Sequence, residues 1–282
     1  MLIPGLLYTR IFLERKMAVI RELSSRENSA VKNVRRLIAE SKARQKQGLF
    51  AVQGITLCEE VLACGVPVDS VFFTDRALSR APGLMPLIEN APLAYRVTDP
   101  VMQYIASLKE PEGIVCVCKM LDKGQKLDTI NMWDKLVLLD NLRDPGNLGT
   151  IIRTACALGM DAVLLTEGCC DLYSDKVLRG CMGALFRMPV IDRLPVSETV
   201  DRLRQKGVQL YATALRDDAQ PIGSVAFETP FCVAFGNEAN GISPELLARC
   251  DHTVIIPMRR GTESLNVASA AAIVLWESTK NA

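Results

Sequence analysis

The sequence carries a single histidine, His252, in 282 residues. A Ser-His-Asp nucleophile or a multi-histidine metal centre would have to rest on that one side chain. Paired cysteine spacing is missing as well. The ten cysteines are scattered through apolar segments, and Cys116-Val-Cys118 and Cys169-Cys170 lack the paired spacing and the histidines of a zinc site. No metal is expected, and the thiols read as reduced and structural. No apolar run reaches the ~18 residues that a membrane span needs. Arg10 and Glu14 interrupt the apolar start and no small-residue cleavage site follows, so neither membrane nor signal peptide is expected and the location reads as cytoplasmic. Met17 reads as an alternative start, with 1–16 as a leader. The sequence contains neither G-x-G-x-x-G nor G-x-x-x-x-G-K-[ST], which sets aside the usual dinucleotide and triphosphate loops.

The net charge is only +1, but it is unevenly spread. Residues 1–50 hold eleven Lys and Arg against four Glu, a local +7, which leaves about −6 for the rest. A basic arm on a near-neutral protein suits a polyanion, most simply nucleic acid; a solvated helical face is the plainer alternative. Lys32, Arg35, Arg36, Arg44 and Lys46 are the candidate contacts.

What is present is alternation. In 29–43 the apolar Val31, Val34, Leu37 and Ile38 recur at helical spacing between basic residues. Strands follow at 50–54, 68–73, 94–97 and 113–119, with helices at 55–63, 84–89 and 99–108, a compact α/β unit. In the second half, nearly continuous apolar runs give strands at 136–139, 162–165, 208–213, 231–235 and 253–256. Helices fit at 150–158, 175–186, 197–206, 244–249 and after Asn266. Buried strands alternating with helices imply a mostly parallel sheet covered on both faces. The organisation expected is a leader and basic arm (1–25), a first α/β domain (26–120), a linker (121–134) and a second domain (135–282).

Three of the second-half strands run into polar loops, at the carboxyl edge where open α/β sheets bind ligands. Asp140 to Gly149 carries Pro145, Gly146 and Gly149, which read as tight turns before a helix starting at Thr150, with Arg153 in its first turn. A cation there opposes the helix dipole and so calls for an anionic partner; a solvent-facing arginine is the alternative. Gly236 to Gly241 lets backbone approach a ligand and places Glu238 at the edge, with Ser243-Pro244 as helix cap and first residue. The third loop joins Pro257 to the small-residue helix at Val267, with Ser264 or Asn266 available as its cap. Together the loops offer Asn147, Arg153, Glu238, Ser264 and Asn266.

These stretches resemble the three motifs of the SpoU/TrmH branch of the SPOUT RNA methyltransferases. Asn141-Leu-Arg-Asp-Pro-Gly-Asn147-Leu-Gly149-Thr-Ile-Ile-Arg153 is similar to the first motif and Phe235-Gly-Asn-Glu238-Ala-Asn-Gly241 to the second. Ile256-Pro-Met258, Gly261 and Glu263-Ser264-Leu-Asn266 are similar to the third. Phe50-Ala-Val-Gln-Gly54 resembles the start of the family's small α/β/α RNA-binding domain. The resemblance implies a parallel sheet with a C-terminal trefoil knot, an exception to the rule against knots. It also implies a homodimer and S-adenosylmethionine as cofactor. By matching position, the cofactor residues would be Thr213, Ala214, Leu215, Gly236, Asn237, Ile256, Met258, Ser264 and Leu265. Asn147, Arg153, Glu238, Ser264 and Asn266 match catalytic or substrate positions, and Arg153 is also an RNA contact. The chain departs from the pattern at Ala268, where serine is common, and at Ala239-Asn240, which replaces a frequent glycine and stiffens that loop.

The implied reaction is methyl transfer to a ribose 2′-hydroxyl of structured RNA, 23S ribosomal RNA by preference, with transfer RNA as the alternative. The family mechanism gives proton removal to the motif-one arginine. A guanidinium resists deprotonation, so the role expected of Arg153 is to orient the hydroxyl and the adjacent phosphate, the proton leaving through phosphate or water. The competing readings are base methylation, a non-catalytic RNA-binding or ribosome-assembly protein, and a small-molecule α/β enzyme.

Overall fold

The computed structural model describes residues 20–121, 127, 130–259 and 264–280. The expected leader with Met17, much of the linker, and Gly261 and Glu263 of the third motif lie outside the described residues.

The first half folds as β1 (Ile20–Leu23), α1 (Ser29–Ala39), α2 (Ser41–Gln47), β2 (Leu49–Gln53), α3 (Ile55–Ala63) and β3 (Val68–Phe73). It continues with α4 (Asp75–Arg80), α5 (Met85–Asn90), β4 (Leu93–Val97), α6 (Asp99–Ile105) and β5 (Ile114–Lys119). The strands form a mixed sheet of order β1-β4-β3-β5-β2. Two differences from the sequence reading stand out. Ile20–Leu23, assigned to the basic arm, is an edge strand parallel to β4; its exposed Arg21 and Glu22 hid it among charges. The helix expected at 29–43 breaks at Glu40, whose φ of −116° and ψ of 117° are extended, and restarts as α2.

The second half runs β6 (Lys135–Leu139), α7 (Pro145–Ala157), β7 (Ala162–Thr166), α8 (Asp175–Cys181), β8 (Val190–Leu194) and α9 (Val196–Gln205). Then come β9 (Gln209–Thr213), β10 (Gln220–Pro221), β11 (Phe231–Phe235), α10 (Pro244–Leu247), β12 (His252–Ile255) and α11 (Val267–Thr279). The sheet order is β10-β12-β9-β11-β6-β7-β8, and every described pairing is parallel. From β6 the chain builds outward through β7 and β8, then returns to the other side, where β11 lies between β6 and β9. Strand order thus reverses beside β6, the position at which open α/β sheets form a ligand crevice. β8 was not foreseen, because Asp192 and Arg193 interrupt its apolar pattern and Arg193 takes a φ of 59°. The helix expected at 175–186 stops at Cys181, where Met182 and Gly183 both turn left-handed.

The helix expected to start at Thr150 instead starts at Pro145. Asp144 caps it by accepting from Asn147 N at 2.8 Å, and Pro145 takes a first-turn place where its missing N–H costs nothing. Pro145, Gly146 and Gly149 are therefore helical rather than turns, and Arg153 lies about two turns in. The dipole argument for an anion at Arg153 is withdrawn accordingly. Gly149 serves packing instead: a Cβ there would come within 2.8 Å of Val177 O and 2.9 Å of Gly180 Cα in α8.

The two halves share one apolar core. Phe50 packs on Tyr173 with ring centroids 4.6 Å apart. Polar groups close the same seam. Gln53 Nε2 and Ser107 Oγ donate to the two oxygens of Asp175 at 2.6 and 2.9 Å, and Arg187 pairs with Glu60. Arg44, expected on RNA, is only 3% exposed. Its guanidinium donates to Asp171 at 2.6 Å and to the carbonyls of Leu37 and Ile38 at 2.6 and 2.9 Å. That assignment is corrected: Arg44 is a seam residue whose donors are spent inside the protein.

Candidate functional site

The site is organised from a residue that sequence reading passed over. Asp140, directly after β6, is fully buried. Its Oδ1 accepts from Thr166 Oγ1 at 3.1 Å, and its Oδ2 accepts from Ser243 N at 2.7 Å. One carboxylate thus ties together the chain after β6, β7 and β11, which suits a buried charge, since an unsatisfied one is costly. The available signal was a lone acid ending an otherwise apolar strand. Asn141 follows with a φ of 56°, a left-handed turn that asparagine tolerates, and its carbonyl accepts from Asn237 Nδ2 at 2.9 Å.

On that base the three loops meet. Glu238 Oε1 accepts from Asn147 Nδ2 and from Asp144 N, each at 3.1 Å, while Oε2 accepts from Arg143 N at 3.4 Å. Asn266 Nδ2 donates to Asn147 Oδ1 at 2.9 Å, and Asn266 Oδ1 caps α11 by accepting from Ala268 N. Glu238, Asn147 and Asn266 therefore form one hydrogen-bonded chain across the three loops. The Asn266 side chain thus caps α11 and also reaches Asn147 of the first loop. Burial pushes the Glu238 carboxyl up, but the Asn147 amide and the surrounding backbone N–H groups outweigh it and hold the group below its ordinary value. Asp144 is also held low, first by Asn147 N and then by Lys176 at 3.2 Å.

Beside this chain opens a cavity of about 700 Å³. Thr213, Ala214, Leu215, Gly236, Asn237, Ile256, Met258, Ser264 and Leu265 all line it, together with Glu238 and Asn266. Gly236 has a steric reason to be glycine. Asn237 and Gly241 exchange two backbone hydrogen bonds of 2.9 Å, and a Cβ on Gly236 would overlap the Gly241–Ile242 backbone.

The structure does not bring every expected residue here. Arg153 is exposed on α7, outside the lining of the cavity, and has no ion pair or hydrogen bond among the described residues. Of the candidate RNA contacts, Lys32 pairs with Glu27 at 2.5 Å, Arg36 with Glu40 at 3.4 Å, and Arg35 lies 4.0 Å over the Tyr104 ring. Lys46 is exposed at the end of α2. The lone histidine, His252, stacks on Tyr211 with centroids 4.7 Å apart, away from the cavity lining. All ten cysteines are unpaired; burial pushes Cys169 up to about 11 and Cys170 up to about 12.

An all-parallel α/β sheet with a large cavity among the loops that follow β9, β11 and β12 is an architecture with room for a small molecule beside its carboxyl edge. The profile of the SpoU rRNA methylase family matches residues 134–276, and that of the MRM3-like substrate binding domain matches residues 28–116. The chain belongs to the SpoU rRNA methylase family. It is 35% identical over 258 residues to the 23S rRNA (guanosine(2553)-2′-O)-methyltransferase RlmP of Bacillus subtilis, covering 91% of this chain and 98% of that one. To the 23S rRNA (uridine(2479)-2′-O)-methyltransferase of Streptomyces viridochromogenes it is 30% identical, covering 92% of each. The fold superposes on the AdoMet-bound rRNA methyltransferase from Sinorhizobium meliloti with a TM-score of 0.82 at 27% identity, over 93% and 98% of the two chains.

Proposed function

We propose that the chain transfers a methyl group from S-adenosylmethionine to a ribose 2′-hydroxyl of 23S ribosomal RNA. The observation that carries this reading is the Glu238–Asn147–Asn266 chain standing at the wall of the cavity. The relatives' named activities support the reaction, and the resemblance of 28–116 to a substrate binding domain supports RNA as substrate.

The lining fits the cofactor. Its volume is that of a site for a nucleoside-sized molecule, and Leu215, Ile256, Met258 and Leu265 give it apolar walls. When bound, S-adenosylmethionine supplies an electrophilic methyl on a sulfonium. The chain's own task is to hold the hydroxyl in line and give its proton a way out, and positioning of this kind can be worth about 7–11 kcal/mol. Glu238, kept ionised by its donors, fixes Asn147 and the first turn of α7, so the hydroxyl meets an ordered wall. Arg153, uncommitted and exposed, is assigned to the RNA phosphate and ribose rather than to proton removal.

A homodimer belongs to the same reading. It is supported by Ile273 and Trp276, 42% and 57% exposed on α11, and by Leu215 at 59%. The C-terminal trefoil knot does too, supported by the family match over residues 134–276. A cytoplasmic location is supported by ten unpaired cysteines.

The test is transfer of labelled methyl from S-adenosylmethionine to unmodified 23S ribosomal RNA and to transfer RNA, followed by alkaline hydrolysis. A labelled, alkali-resistant dinucleotide from ribosomal RNA is expected. Label in an alkali-labile mononucleotide would move the assignment to a base, and label in transfer RNA alone would move the substrate.

A further inference from the structure

A second cavity, of about 690 Å³, shares the 237–242 segment with the first and adds Asn141, Arg143, Ser243 and Pro244. Glu238 lines both. A methyl acceptor must come within about 3–3.5 Å of the transferred group, so its site has to adjoin the cofactor cavity. This cavity does adjoin it, and the shared wall carries Glu238, which accepts from Asn147 Nδ2.

Most polar groups around it are already committed to the frame. Asn237 Nδ2 donates to Asn141 O, Asn237 Oδ1 accepts from Ala239 N and Asn240 N, and Ser243 N donates to Asp140. The Glu238 carboxylate takes its donors from Asn147, Asn237, Asp144 N and Arg143 N. Glu238 meets Arg143 through its backbone N–H and not through its guanidinium. Among the described residues, the side chains of Arg143 and Asn240 have no hydrogen-bond or ion-pair partner. A planar guanidinium is the donor best matched to a phosphate, and a side-chain amide can pair with a base edge.

We propose that this second cavity is the acceptor-nucleotide subsite, with Arg143 gripping the phosphate beside the target ribose and Asn240 contacting the base. The assignment rests on the reading of the chain as an RNA methyltransferase. It divides the labour on one frame: the first cavity for the donor, the second for the acceptor, with Glu238 between them.

The experiment measures the affinity of the full chain for labelled, unmodified 23S ribosomal RNA across a salt series, beside S-adenosylmethionine affinity by calorimetry. Arg143→Ala is expected to weaken RNA binding about tenfold and to lower the log–log salt slope by about 0.7–0.9, the loss of one phosphate contact. Arg143→Lys keeps the slope while recovering only part of the affinity, because a point charge replaces the planar fork. Asn240→Ala weakens binding about threefold with the slope intact. Cofactor affinity stays unchanged in both Arg143 variants, because Arg143 lines the second cavity and not the first. Unchanged RNA affinity and slope in Arg143→Ala would overturn the subsite, as would a matching loss of cofactor affinity. A wild-type chain that binds this RNA but transfers no methyl would sink the proposed function, while the Arg143 salt slope would still decide the subsite.

Discussion

The seam between the two sheets and the loop edge of the second are both built from carboxylates and their donors, yet they leave different things over. At the seam, Arg44 spends its donors on Asp171 and on two carbonyls, and the pair has only 4% and 15% of its side-chain surface exposed. At the edge, Asp140 and Glu238 order the backbone, while Arg143, Arg153 and Asn240 stay uncommitted among the described residues. A satisfied network locks; a network that orders its frame and keeps spare donors is ready for a ligand. The same residue types thus serve fold in one place and substrate in the other, according to whether any hydrogen-bonding capacity remains.

The largest effect should follow from breaking the lock. Arg44→Ala leaves Asp171 with its main donor gone in a partly buried place, and removal of one partner from a buried pair costs about 3–5 kcal/mol. Urea denaturation of the intact chain measures it. Arg44→Met with Asp171→Leu should recover most of the loss, since it removes the stranded charge as well. A single substitution costing under about 1 kcal/mol would mean that the Arg44–Asp171 pair is not what holds the seam.

The edge should respond in the opposite currency. Glu238→Ala removes the acceptor of Asn147, Asp144 N and Arg143 N, and displacements of this kind cost about 10²-fold in turnover. Because Glu238 is exposed, stability should move by no more than about 0.5 kcal/mol. Single-turnover methylation and the urea midpoint, measured on the same preparation, separate the two. If Glu238→Ala unfolded the chain as readily as Arg44→Ala, the distinction between lock and ready site would be lost.

The edge was far more legible in the sequence than the seam. Apolar strands that stop at polar, glycine-bearing loops announce the carboxyl edge of a parallel sheet, and the motif residues sit at fixed offsets along those loops. Asn147, Glu238 and Asn266, whose side chains meet there, were singled out that way. Arg44 was not, because its partner is 127 residues away in sequence and periodicity only says that a charge lies on a helix. Its basic neighbours Lys32, Arg35 and Arg36 read identically, and they are exposed. Asp140 escaped for a related reason: nothing in a strand's pattern says that the next acid will be buried. The start of α7 was misplaced because Pro-Gly reads equally well as a turn or as the first residues of a capped helix, and the cap on Asp144 decided it. Local rules found elements and loops; the pairing of charges across the core needed three dimensions.

Acid offers the smallest and finest division between the two clusters. Burial pushes the Asp171 carboxyl up, but the hydrogen bond from Arg44 and one from Ser41 outweigh it, so the group is held below its ordinary value, as Glu238 is. A carboxyl with a depressed folded value contributes stability that is present above its unfolded value, about 3.9 for Asp and 4.3 for Glu, and lost as pH falls through the lower folded value. Stability should therefore be flat from pH 8 to about 5 and fall only below about 4. Glu238→Gln should leave that acid limb nearly unchanged, because an exposed carboxylate is screened by solvent and contributes little. Arg44→Met with Asp171→Leu should flatten it, because the ionised pair then no longer has to be protonated. Urea midpoints between pH 3 and 7 test both. If Glu238→Gln flattened the limb and the double substitution did not, the edge would be the structural lock and the seam a bystander.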